Sequence, residues 1–180
     1  MSIFKGLIYF CLLALLFGCS APPRFSFRGG VLPESAKTIS VQNFFLDVPA
    51  GPANIEVDFT ERLRDYYQRN TRLAVVPDNG HLMIEGAIIG YAVTPVAPTS
   101  NNNADPNELF TEVAGQQRLT INIQVQYTNT VQDDKDFDKS FSQFADFDAN
   151  ASLSDVENEL IDEIFEQIIQ NIFNQTVADW

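Results

Sequence analysis

The cleanest pattern in the chain runs from Arg118 to Thr130. Leu119, Ile121, Ile123, Val125 and Tyr127 alternate with Thr120, Asn122, Gln124, Gln126 and Thr128. A two-residue period predicts a long strand with one dry and one polar face. A charged turn at Gln132 to Asp136 leads into a second strand, Phe137 to Phe147, with Phe137, Phe141, Ala145 and Phe147 on one side and Phe144 on the other. Earlier, Thr38 to Phe45 reads as a strand, Leu73 to Val76 as a short one, and His81 to about Val93 as a strand apolar on both faces, hence central and covered at least partly on both sides. Asp78-Asn79-Gly80 predicts a tight hairpin turn between the last two, because Asn-Gly supplies positive φ angles. Gly86 and Gly90 mark a bulge or a close backbone approach.

The period changes to helical in two places. Ile55, Phe59, Leu63 and Tyr66/Tyr67 predict a helix from Ile55 to Arg69, with Asn54 as N-cap and Glu56 and Asp58 in the first turn, where the helix dipole favours acids. Val156, Leu160, Ile161, Ile164, Ile168 and Ile172 predict another ending near Phe173, opened by a capping box at Ser154-Asp155-Val156-Glu157. Residues 94–117, with Pro95, Pro98, three asparagines and Pro106, read as a long loop with a short helical turn around Glu108 to Val113. The order is strand, helix, four strands, helix. Both helices must bury an apolar stripe, so the expected fold is α+β, with two helices packed on one face of a four- to five-stranded mixed sheet.

The N-terminus is of another kind. Lys5 precedes an uncharged apolar run from Leu7 to Phe17, too short for a membrane span of about 20 residues. The run meets Leu16-Phe17-Gly18-Cys19, which resembles a lipobox: Leu three before the cysteine and a small residue just before it. The expectation is a lipoprotein signal peptide over 1–18, acylation (diacylglyceryl and palmitate-type chains) at Cys19, a lipidated tether over 19–36 and one domain over 37–180. The competing reading is an ordinary signal peptide with an incidental cysteine. Two or more acyl chains hold a protein stably at a membrane. By resemblance to enteric lipoproteins, Ser20 and Ala21, with no Asp beside them, imply the outer membrane. The short Pro- and Gly-bearing stretch at 20–30 reaches about 35 Å at full extension, which favours work close to the membrane.

Charge narrows the partners. Loss of Lys5 with the signal leaves ten basic against 24 acidic residues, a net charge of −14. Nucleic acid, whose phosphates need Lys and Arg, is an unsuitable ligand, and broad adsorption to anionic lipid is disfavoured. With one cysteine left after processing, no disulfide within the domain is available.

Lys37-Thr38-Ile39-Ser40-Val41, Gly80 to Tyr91, Arg118-Leu119-Thr120-Ile121, the segment FDKSFSQFADFD from Phe137 to Asp148, and Leu153 to Trp180 ending in VADW together resemble the LPS-assembly lipoprotein family, LptE-like, in a form divergent from the enteric one. The resemblance implies a two-helix, one-sheet fold. It also implies an outer-membrane lipoprotein on the periplasmic side, partnered with the LPS-export barrel LptD as a plug and handling lipopolysaccharide. The alternative is a regulatory or auxiliary lipoprotein for a cell-wall synthase or an ABC lipid transporter. A lipid-anchored hydrolase is a third class.

No catalytic or metal site is expected, and no cofactor. His81 is the sole histidine and follows a turn. Asp134, Asp136 and Asp138 have the spacing of a calcium loop, but Lys139 stands where Gly is needed and Ala145 where Glu is needed. The basic candidates are Arg62, Arg64, Arg69, Arg72 and Arg118, a patch for lipid A phosphates or for acidic groups of a barrel if Arg118 lies near the helix end. Arg62 and Arg69, seven apart, share a helix face. The competing reading is a solvated face complementing the helix C-terminus.

Overall fold

The computed structural model describes residues 35–96 and 115–177. The signal segment, Cys19, the tether up to residue 34, the turn expected at Glu108 to Val113 and the last three residues lie outside the described residues. In chain order the elements are β1 (Thr38–Val41), β2 (Phe45–Leu46), α1 (Ile55–Asn70), β3 (Ala74–Val76), β4 (Leu82–Val96), β5 (Gln116–Asn129), a 3-10 turn (Asp133–Lys135), β6 (Phe137–Asp148) and α2 (Leu153–Thr176). They form one mixed six-stranded sheet in the order β3-β1-β4-β5-β6, with β2 also pairing β4. β1 runs parallel to β3 and β4, β2 runs parallel to β4, and β4-β5-β6 is antiparallel.

The expected α+β fold is present, with one strand more than anticipated. The strand expected from Thr38 to Phe45 is broken into β1 and β2. Arg64 donates to the carbonyl of Val41 at the end of β1, and Phe44 turns inward, its N–H donating to Thr60 Oγ1 at 3.1 Å. Phe44 then sits edge-on against Phe59, ring centroids 5.0 Å apart.

The hairpin expected at Asp78-Asn79-Gly80 is a turn but not a hairpin. Asn79 has the positive φ, 53°, yet β1 lies between β3 and β4. Residues 77–81 therefore cross β1. The crossing is tight: a Cβ on Gly80 would stand 2.5 Å from Ser40 N, and Gly80 N–H donates to the buried Ser40 Oγ at 3.2 Å. Only a residue without a side chain passes so close to another backbone.

Both helices cover the same face, onto which Leu119, Ile121, Ile123 and Val125 of β5 point, each fully buried. The α1–α2 contact centres on Phe59 and Phe165, edge-on at 4.9 Å, and is closed at the far end by Tyr67, whose hydroxyl meets Thr176 Oγ1 at 2.5 Å. Consequently β4 is not covered on both sides as expected. Its other face is open, with Glu85 exposed and Ile89 41% exposed. Gly86 is a close approach, where a Cβ would collide with the Gln124 carbonyl and lie 2.7 Å from the Phe44 ring. The bulge falls between Ile88 and Gly90.

The loop expected from residue 94 starts later, because β4 continues through Pro95 and Val96, opposite Gln117 and Gln116. Gln42 and Asp47 donate to the carbonyls of Ile84 and Ile88, which fixes the β4 residues whose backbone points away from β5. After the bulge these are Tyr91, Val93 and Pro95. Pro95 thus lacks an N–H where no described strand would have used it, which is where a sheet tolerates proline.

Both helix starts differ from expectation. Asn54 does precede α1, but in the left-handed conformation (φ 63°) and without a side-chain cap. α2 begins one residue before Ser154, with Ser152 as N-cap and no capping side chain. Ser154 therefore lies inside the helix and cannot cap it, and Glu157 accepts a hydrogen bond from Tyr91 at 2.5 Å.

Candidate functional site

The five arginines do not form one patch. Arg62, Arg64, Arg69 and Arg72 lie on or just after α1. Arg118 belongs to β5, where its neighbour Leu119 is buried beneath the helices. Strand alternation therefore sends Arg118 to the opposite, open face of the sheet. It is not near the helix end.

Three of the five already have strong partners. Arg62 Nε meets Asp58 Oδ1 at 2.8 Å, one turn back on α1, and its Nη2 meets Asp162 Oδ1 of α2 at 2.6 Å. The bond to Asp58 is the main reason its pKa lies above the ordinary value, with Asp162 adding to it. Arg64 donates from Nε and Nη2 to the Val41 carbonyl at 3.0 and 2.6 Å, and from Nη2 to Asn43 Oδ1 at 2.9 Å. It fastens the break between β1 and β2 to the helix. Arg118 grips Asp146 bidentately at 2.7 and 2.9 Å, and its guanidinium stacks 3.6 Å above the Phe144 ring. That hydrogen bond holds the Asp146 carboxyl below its ordinary range.

Arg69 and Arg72 differ. Arg69 makes one long bond, 3.3 Å, from Nε to the Asp65 carbonyl of its own helix. It lines an open groove between α1 and α2 with Arg62, Tyr66, Asp162 and Glu166. Arg72 is exposed, just past the helix. Neither meets a carboxylate among the described residues. The patch expected from sequence thus reduces to two available guanidinium groups at the C-terminal end of α1.

Elsewhere the polar groups are used structurally. His81 Nδ1 meets Thr38 Oγ1 at 2.5 Å, and the His81 carbonyl accepts from Thr130, so the side chain serves the crossing over β1. Asp136 accepts from the Asn129 N–H at 2.6 Å, and Asp138 accepts from Gln124. The three alternating aspartates are thereby divided between the 3-10 turn and the sheet. Among the described residues no three His, Cys, Asp or Glu side chains stand together as metal ligands. Sequence reasoning missed the Tyr91–Glu157 bond, which ties β4 beyond its bulge to the N-terminal part of α2. Burial, and then the bond to the Glu157 carboxylate, push the Tyr91 hydroxyl pKa upward. No local signal marks a pair 66 residues apart.

Among the described residues, two helices lie on one face of a mixed sheet and no element covers its second, largely polar face, which defines an α+β scaffold. The profile of the LptE family, described as lipopolysaccharide-assembly, matches residues 36–176, nearly everything described. The chain belongs to the LptE lipopolysaccharide-assembly family. No curated protein matches it by sequence. Among solved structures it is similar to the hypothetical protein CT253 from Chlamydia trachomatis, with a TM-score of 0.51 at 9% identity, covering 80% of this chain and 100% of that one. A minor lipoprotein from Acinetobacter baumannii follows at 0.48 and 14%, covering 78% and 91%. At 9% identity the first likeness concerns fold alone.

Proposed function

We propose that this chain is a lipid-anchored partner of the outer-membrane LPS-export barrel (LptD-like), held on the periplasmic side by acyl chains on Cys19, seated as a plug in that barrel, and handling lipopolysaccharide on its way to the surface. The observation that carries the reading is the extent of the family match, 36–176, which spans both helices and all six strands. The lipobox-like Leu16-Phe17-Gly18-Cys19 supports the anchor. The work is assembly and transport, not catalysis.

For lipopolysaccharide itself, Arg69 and Arg72 are the proposed phosphate contacts, because of the five candidates these two are exposed and meet no carboxylate among the described residues, Arg69 making only one long bond to the Asp65 carbonyl of its own helix. Arg62, Arg64 and Arg118 are assigned to the fold. A charge-assisted hydrogen bond contributes about 1.5–3 kcal/mol. Arg69→Glu with Arg72→Glu should therefore weaken binding of the mature protein to lipopolysaccharide by about ten-fold or more, with a smaller loss for lipid A lacking its phosphates. Arg62→Glu, at a guanidinium held by two aspartates, should change it far less. Equal binding by the double variant and the parent protein would remove these two residues from the proposal.

A further inference from the structure

We propose that the outer edge of β6 is a docking strand that takes an extended, basic segment of a partner protein by backbone pairing. The register between β5 and β6 runs without a shift from Gln116–Asp148 to Tyr127–Phe137. One position further on, the Ala149 N–H donates to the Gly115 carbonyl at 2.8 Å. This fixes the alternation: odd-numbered residues of β6 spend their backbone groups on β5. The N–H and C=O of Asp138, Ser140, Ser142, Phe144, Asp146 and Asp148 point outward. No described residue pairs with those from Asp138 to Asp146, whereas the Asp148 carbonyl is taken by the Ala151 N–H at 3.0 Å, so the free edge ends before Asp148. Side chains or water satisfy such a row one group at a time, whereas an extended peptide satisfies it all at once.

The other margins of the sheet are blunted. β3 has three residues and β2 has two. The free half of β4 presents Pro95, which has no N–H to offer. β6 has twelve residues, no proline and no bulge. Beside it lies an open groove between strand and helix, lined by Lys139, Phe141, Asn171, Asn174 and Gln175. Lys139 leans away from the edge, towards Gln175 at 3.2 Å and the Phe141 ring at 5.4 Å.

Charge selects the occupant. β6 carries three aspartates against Lys139, and α2, which packs on it, carries six acidic residues and no Lys or Arg. Of these acids Asp146 meets Arg118 and Asp162 meets Arg62. A second copy paired edge to edge would bring two such acidic surfaces together. A segment with Lys or Arg at alternate positions meets the same surface favourably. The proposal does not depend on which partner supplies the segment, and it stands or falls separately from the assignment to the export barrel.

The test uses the mature chain in detergent and two synthetic probes, a seven-residue peptide alternating Lys and Val and its counterpart alternating Glu and Val. Amide hydrogen exchange is read residue by residue along β6. In the free protein the outward amides of Ser140, Ser142 and Phe144 should exchange rapidly and those of Phe141, Gln143 and Ala145 slowly. The basic peptide should slow the outward set about ten-fold, and the acidic one should not. Ser142→Pro removes one outward donor and no bond to β5. It should abolish the effect of the basic peptide while leaving the inward amides protected, which shows that the strand still folds. Outward amides already slow without peptide, equal protection by both peptides, protection that rises with protein concentration alone, or indifference to Ser142→Pro would each overturn the proposal.

Discussion

Gly86 and Gly90 stand four residues apart on one strand and differ in what surrounds them. A methyl group on Gly86 would drive into the backbone carbonyl of Gln124 and the Phe44 ring, whereas one on Gly90 would meet the Asn122 side chain, which can rotate away. Overpacking of this kind costs about 1–3 kcal/mol. Gly86→Ala should lie at or above that range in urea unfolding and Gly90→Ala below it. Equal losses would mean that the β4–β5 contact is looser than the geometry indicates. Tyr67 and Thr176 make the complementary case. Both are buried, and the Thr176 hydroxyl also bonds back to the Ile172 carbonyl at 2.9 Å. Thr176→Val leaves the Tyr67 hydroxyl without its partner, at a cost of about 1–3 kcal/mol. Tyr67→Phe together with Thr176→Val should recover part of that loss, because neither side then keeps an unmet group.

At the scale of elements, the inter-helix contact separates packing from surface charge. Phe165 is fully buried against Phe59, so Phe165→Ala should cost about 3–5 kcal/mol. The Arg62–Asp162 bridge joins the same helices but is 40% and 59% exposed, and replacing Asp162 by Asn should cost under about 1 kcal/mol. Denaturant titration of the two variants checks the order; a bridge worth as much as the aromatic contact would contradict it. Local periodicity explains which elements were legible in the sequence. β5 shows ten alternating residues, and α2 repeats its apolar stripe from Val156 to Ile172, so both could be read without knowing their neighbours. The insertion of β1 between β3 and β4 could not. Asp78-Asn79-Gly80 declares a turn, but the neighbour of each strand is decided by the fit of Gly80 over Ser40, forty residues away. The capping box at Ser154 and Glu157 is absent because the helix starts one residue earlier, and Glu157 is instead reached by Tyr91 from a distant strand. The arginine patch was read from composition along one helix. Asp58, one turn back from Arg62, is visible in the spacing, but Asp162 of α2 and Asp146 of β6, which also occupy Arg62 and Arg118, leave no trace in it.

The whole molecule is an acidic, single-sheet body with buried tyrosines, and its response to pH follows. Burial raises the Tyr67 pKa above the ordinary value, and Tyr127 is pushed up to about 12, also mainly by burial. In the unfolded chain these groups titrate near about 10. The folded state therefore holds more protons above that point, and stability should be level below about pH 10 and fall as pH rises towards about 12. Thermal unfolding between pH 8 and 12 checks this, and Tyr67→Phe should flatten part of the decline. A stability that rose over that interval would contradict the burial of these rings. At the same scale, the match over 36–176 covers nearly the entire described body and not a motif within it, so the family assignment rests on the fold as a whole. The most direct test is to extract the mature lipoprotein from envelopes in detergent and identify what co-purifies with it. The account predicts a large outer-membrane β-barrel of the lipopolysaccharide-export type, in near-equal amount and absent when Cys19→Ser prevents anchoring. Recovery of a peptidoglycan synthase or an ABC permease in place of that barrel would contradict it.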